Sequence, residues 1–197
     1  MTRAKLPALG YAYVALALPA VLLGRDHGRA TAALLTGATF AYLWFIASLR
    51  AQVVRFDPDG FFASVVVLGS AAYLALETFA VLEVSTQAAG LASACAAAVI
   101  MGSSLAAWRA RKIPKWFGQA GVTGGLAVLA VGLVEAAADW TLAGSTVYAS
   151  SLGFMVWVVV TATYLLRRST TSPEAPGGND RRPARSSPRA AHPPRAS

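Results

Sequence analysis

Reactive and metal-binding side chains are scarce in this sequence. There is one cysteine, Cys95, and it lies within an apolar run. The chain therefore forms no internal disulfide and holds no cysteine zinc cluster. The two histidines, His27 and His192, fall outside every long apolar run, which excludes a bis-histidine haem inside a helical bundle. No lysine occurs between Lys5 and Lys112, and neither is placed mid-membrane, so a retinal-type Schiff base is excluded. Gly102-Ser103-Ser104 has no histidine within the apolar runs to activate a serine, which argues against an intramembrane serine hydrolase. Asp57-Pro58-Asp59-Gly60 matches the opening of an aspartate motif used in transfer of lipid head groups, but the later aspartates and the arginine of that motif are missing. Asp, Pro and Gly each favour turns, and the tetrapeptide is read as one. The glycines form no phosphate-cradling loop. No motif of catalysis remains, and the chain is read as a non-enzyme with no cofactor and no metal.

Charge is also in short supply. Charged residues make up 13% of the chain and hydrophobic ones 56%, against roughly 25% charged in soluble domains. That deficit points to a bilayer as solvent. The formal net charge of +8 would suit nucleic acid, but the basic residues sit in loops and the tail, as lipid-facing charge does. Nucleic acid is set aside, and anionic lipid at the basic loops and tail is the expected partner. Heavy use of Ala, Gly, Val and Arg suits a high-GC bacterium.

What is abundant is apolar sequence in long runs. A spanning helix needs about 20 apolar residues, and six runs qualify: 6–23, 31–49, 61–82, 87–107, 117–137 and 145–166. The first follows Arg3 and Lys5, as in a signal peptide. No clean Ala-x-Ala site follows, and Pro19 and Arg25-Asp26-His27 lie close behind, so an uncleaved first helix is expected. With both ends cytoplasmic, the inner segments and tail hold fifteen Lys and Arg, against two in the outer loops. Without the tail the bias is still eight to two. Such a bias sets orientation, and an even number of spans agrees with it. Trp108, Trp116 and Trp140 fall at the expected interfaces, where indole rings prefer to sit. The fold class expected is all-α: a six-helix transmembrane bundle of the cell membrane, residues 1–166, with a Pro-, Arg- and Ser-rich disordered cytoplasmic tail over 167–197.

The fourth run carries Gly90, Ala94, Ala98, Gly102 and Ala106, each four residues apart. The fifth has Gly121 and Gly125, and a looser pair in Gly124 and Gly132. In lipid, small residues at such spacing let two backbones approach closely. The fourth and fifth helices are expected to form a tight antiparallel hairpin, closed by the basic loop between Trp108 and Trp116. Pro114 suits that loop or the first turn of the fifth helix.

Within 112–134, a basic residue is followed by Ile113, Pro114, Lys115, Trp116, Phe117 and Gly118, then a Gly-rich span. This resembles a Leu-Pro-basic-Trp-Leu-Gly turn in small multi-span integral membrane proteins of actinobacteria that belong to uncharacterised families. The resemblance implies a six-span bundle and carries no substrate with it.

Two polar sets stand out against the apolar background. The first is Glu77, with Ser70 and Tyr73 seven and four positions earlier on the same helical face. Glu77 falls roughly 8 Å beyond the midplane, inside a hydrocarbon layer of about 30 Å. A charged carboxylate there is costly and usually faces the bundle or a wet cavity. Desolvation favours the neutral acid, so Glu77 is expected to hold its proton at neutral pH. The competing reading is a carboxylic acid that only bonds a neighbouring helix. The second set is an outer acidic rim: Asp26, Glu83, Glu135 and Asp139, with His27 beside Asp26. It is read either as polar helix ends or as a shallow vestibule that attracts cations. Two functions are expected in order: a structural or regulatory membrane subunit acting through helix packing with a membrane-protein partner or as a homo-oligomer, and a small proton-linked transporter or ion-conducting protein using Glu77.

Overall fold

The computed structural model describes residues 3–23, 28–83, 86–111, 113–137 and 149–171. A short 3-10 segment, Arg3–Ala8, leads into α1, Leu9–Leu23. There follow α2, Gly28–Phe56; α3, Phe61–Glu83; α4, Thr86–Arg109; α5, Lys115–Ala137; and α6, Ala149–Thr171. Among the described residues there is no strand. Each of six helices is long and apolar enough to cross a membrane. The chain is an all-α, multi-pass membrane protein.

Helix boundaries differ from the apolar runs where charge, rather than backbone geometry, marks the end of the run. The second run breaks at Arg50, yet α2 continues to Phe56. Leu49 and Val53 remain buried while Arg50 and Arg55 point outward, so the helix keeps its core face beyond the apolar stretch. For the same reason Arg167 and Arg168, expected to open the tail, belong to α6, which extends to Thr171. The tail from 172 onward lies outside the described residues, as do 145–148 at the expected start of the sixth helix.

The α2–α3 turn is built by Asp57-Pro58-Asp59-Gly60. The Asp57 carboxylate accepts the Phe62 amide at 2.6 Å, which satisfies an otherwise orphaned N–H in the first turn of α3. Gly60 takes a positive φ of 73° that a side chain would resist, and its amide donates to the Asp57 carbonyl at 3.0 Å.

α4 is the centre of the bundle. Of its spanning window 67% is buried, against 22% for α5. It packs most extensively on α5 and next on α3, and it also touches α2 and α6. α1 packs on α2 and reaches α6, which closes the set. Tyr11 on α1 and Thr163 on α6 share a 2.6 Å hydroxyl hydrogen bond across that seam.

The α4–α5 hairpin is present, but the small residues are divided between two neighbours. Gly90 lies against Ala136 and Gly132 of α5. Gly102 lies against Val65 of α3, and Ala98 lies beside Gly69 of α3. Ala94 and Ala98 line a groove with Phe62 and Val65. The cause is helical geometry. Each four-residue step overshoots a turn by about 40°, so a stripe from Gly90 to Ala106 rolls roughly 160° round the helix. The α4 face that follows α5 is instead Gly90, Ser93, Ala97, Met101 and Ser104, whose three- and four-residue steps average 3.5. Facing it are Gly118, Gly121, Gly125 and Gly132, whose missing side chains leave room for Trp108, Ser104, Met101 and Ser93 respectively. Gly124 is not in this interface, and a Cβ there would meet nothing within 4 Å.

Trp108 packs on Gly118 and closes the hairpin. Pro114 caps α5 through its carbonyl, which accepts the Phe117 and Gly118 amides at 3.0 and 3.3 Å. Trp116 is exposed, while Trp140 lies outside the described residues. Because successive helices alternate in direction, Arg50, Arg55, Arg109, Arg111, Lys115, Arg167 and Arg168 all fall at one end of the bundle. Two of them lie over aromatic rings there: Arg109 on Phe62 at 5.4 Å and Arg168 on Phe56 at 5.7 Å.

Candidate functional site at the midplane

The inward face of α3 reads Ala63, Val66, Ser70, Tyr73, Glu77 and Ala80, all buried at alternating steps of three and four. A helix that turns every 3.6 residues holds these on one stripe. Ser70, Tyr73 and Glu77 therefore share a face, as their spacing predicts, and that face points into the bundle. The Glu77 side chain is 6% exposed and both of its carboxyl oxygens are buried.

The other helices bring two further tyrosines to the same level. Tyr13 is the middle residue of the helical stretch 3–23, and Tyr42 is the middle residue of α2. Tyr73 is one residue past the middle of α3. All three are fully enclosed. Tyr13 and Tyr73 share a hydroxyl hydrogen bond of 3.0 Å. Tyr42 donates to Ser70 Oγ at 3.3 Å. The rings pack on one another, with centroids 4.8 Å apart for Tyr13–Tyr42 and 6.0 Å for Tyr42–Tyr73. Phe154 of α6 completes the cluster, 4.4 Å from Tyr73 and stacked on Trp157 at 5.5 Å.

Close helix approach makes this convergence possible. A Cβ at Gly10 would meet Ala162 at 2.9 Å and Phe45 at 3.0 Å, so glycine there lets α1 sit against α2 and α6 one turn before Tyr13. Gly69, adjacent to Ser70, lies 3.0 Å in the same sense from Val99 of α4.

Glu77 lies one turn beyond Tyr73, towards the end of the bundle opposite the basic residues. A cavity of about 10 Å³ adjoins it, lined by Tyr13, Thr39, Tyr73, Glu77 and Thr78 among apolar neighbours. That is room for about one water, with hydroxyls and a carboxyl as partners. A carboxylic acid sharing a cavity with four hydroxyls can hold a proton, and it can release one only if nearby donors stabilise the carboxylate.

Of the residues singled out from sequence, Ser70, Tyr73 and Glu77 come together. Tyr13 and Tyr42 were missed, although a signal existed. Tyrosine prefers the membrane interface, and a tyrosine in the middle of an apolar run is out of place there. The outer rim is a different matter. Asp26, His27 and Asp139 lie outside the described residues, and of Glu83 and Glu135 only the helical backbone is described, at or near the ends of α3 and α5. No protein-family model, curated protein or solved structure matches the chain.

Proposed function

We propose that this chain is a proton-linked, non-enzymatic integral protein of a bacterial cell membrane, with both termini cytoplasmic, in which Glu77 is the titrating group. The observation that carries the reading is the burial of Glu77 beside Tyr13 and Tyr73 with a water-sized cavity at its flank. A purely apolar contact at this depth would be cheaper to build. Tyr13, Tyr73 and the cavity supply what a proton site needs: a hydrogen-bonding wall and a place for a water. The orientation rests on the fifteen-to-two charge bias and on the gathering of basic side chains at one end. Proton transport and proton sensing share this chemistry.

The test compares Glu77→Gln with Glu77→Leu in proteoliposomes, with an internal pH dye and intrinsic tryptophan fluorescence read across an imposed pH gradient. Gln keeps the shape and polarity but does not titrate. The parent is expected to give a pH-dependent flux or fluorescence change that Glu77→Gln abolishes while remaining folded. If Glu77→Gln matches the parent at every pH and only Glu77→Leu is unstable, the carboxyl is structural.

A second reading, a regulatory subunit held to a membrane partner, draws on α5, which is less buried than any other span. The small residues of α4 weigh against it, since several are spent on α3 and α5. Purification from the native membrane with a stoichiometric protein partner would favour this reading.

A further inference from the structure

We propose that the cleft between α4, α5 and α6 is a binding site for one acyl chain of an anionic glycerophospholipid, with the headgroup held at the basic end of the bundle. The cleft shares no lining residue with the Glu77 cavity, which lies among α1, α2 and α3, though Trp157 on the cleft wall stacks on Phe154 of the tyrosine cluster.

The cleft measures about 400 Å³. Its walls are apolar, including Phe117, Ala127, Val128, Val156 and Trp157, with Ser104 as the one hydroxyl. Gly124 opens the cleft, with free space where a side chain would be, while Gly121 and Gly153 line it and pack closely on Ser104 and Val128. α6 accordingly packs on α5 far less extensively than α4 does. From Phe117 to Val128 the cleft runs eleven residues along α5, about 16 Å at 1.5 Å per residue. One leaflet of hydrocarbon is about 15 Å deep. The cleft thus has the length and polarity of a single lipid tail, and Val156 and Val160 at its edge are exposed to the surrounding bilayer.

Charge decides the headgroup. A smaller cavity of about 50 Å³ shares Ser104, Phe117 and Trp157 with the cleft and continues to Tyr164, at the end of the bundle where the basic residues gather. There Tyr164 stacks on Phe117 at 5.6 Å, and Arg168 donates to the Tyr164 hydroxyl at 3.4 Å. Lys115 lies two residues before Phe117 and is exposed. Arg168 and Lys115 stand on the two helices that flank the mouth. Arg pairs with a phosphate through a planar fork, and Lys adds a compact positive charge.

The experiment uses the full chain, purified in mild detergent and titrated with phosphatidylglycerol or phosphatidylcholine of matched chains, with bound lipid counted by native mass spectrometry. Gly124→Leu fills the cleft at a position with free space. Val156→Trp blocks it from the α6 side and serves if the first variant folds poorly. Lys115→Gln/Arg168→Gln removes the charge. The parent is expected to retain phosphatidylglycerol at least tenfold better than phosphatidylcholine. Either blocking variant lowers retention of both lipids at least tenfold, and the double Gln variant removes the preference while retaining some binding. Equal retention of the two lipids by the parent, or undiminished retention by a folded blocking variant, overturns the proposal. So does a disulfide-linked dimer through Gly124→Cys in a Cys95→Ser background, because the cleft would then be an interface between copies.

Discussion

Replacing Gly132 with alanine adds one methyl group in a place with no room for it. The new Cβ would run into Ser93 of α4, with the Gly90 carbonyl oxygen 3.4 Å away. Ser93 cannot step aside without loss. Its Oγ donates to the Ala89 carbonyl at 2.8 Å and is hydrogen-bonded to Ser150 Oγ of α6 at 2.7 Å. Overpacking costs about 1–3 kcal/mol, and an interhelical hydrogen bond in lipid is worth about 0.6 kcal/mol on average and up to about 1.7. Alanine recovers about 0.5–1 kcal/mol because it is the better helix former. The net destabilisation is about 1–3 kcal/mol, a roughly 5- to 150-fold shift towards the unfolded state. Gly124→Ala, two turns earlier on the same helix, meets nothing within 4 Å. It keeps only the gain, so the two substitutions should differ in sign. Steric trapping of the unfolded state in bicelles reads both. The exchange Ser93→Gly/Gly132→Ala moves the methyl-sized bulk across the interface and should recover part of the loss, though not the Ser150 bond. A Gly132→Ala protein as stable as the parent, or a Gly124→Ala protein equally damaged, would refute the assigned interface.

Three further outcomes follow from the same geometry. Tyr13→Phe removes the bond to Tyr73 while keeping the ring, so stability measured as above should fall by about 0.6 kcal/mol and by no more than about 1.7; a loss beyond 3 would mean the hydroxyl anchors more than this contact. Asp57→Ala removes the cap on the Phe62 amide and should cost about 1 kcal/mol, with Asp57→Asn close to the parent in the same unfolding measurement. A reporter active only in the cytoplasm should work when fused after Leu166 and fail after Thr141; silence at Leu166 reverses the orientation drawn from the positive residues.

The sequence by itself determined the number of spans and the place of each, although α2 runs seven residues past the expected end at 49 and α6 five past 166. Hydrocarbon imposes a local rule: each crossing needs about 20 apolar residues in a helix that satisfies its own backbone. Glu77 was legible for the same reason, since a carboxyl inside such a run breaks the rule visibly. The turn at Asp57 to Gly60 was legible because those residues carry their turn chemistry with them. Tertiary structure decided what the spans do to one another. In a membrane both faces of a helix are apolar, so polarity does not mark which face is inward, and packing depends on the fit of small shapes. That is why the spacing of Gly90 to Ala106 suggested one stripe where the helix presents two, and why Gly124 looked like Gly121 until one faced a cleft and the other Ser104. It is also why Tyr13, Tyr42 and Tyr73, separated by 29 and 31 residues in sequence, came together only when three helices met at the same level.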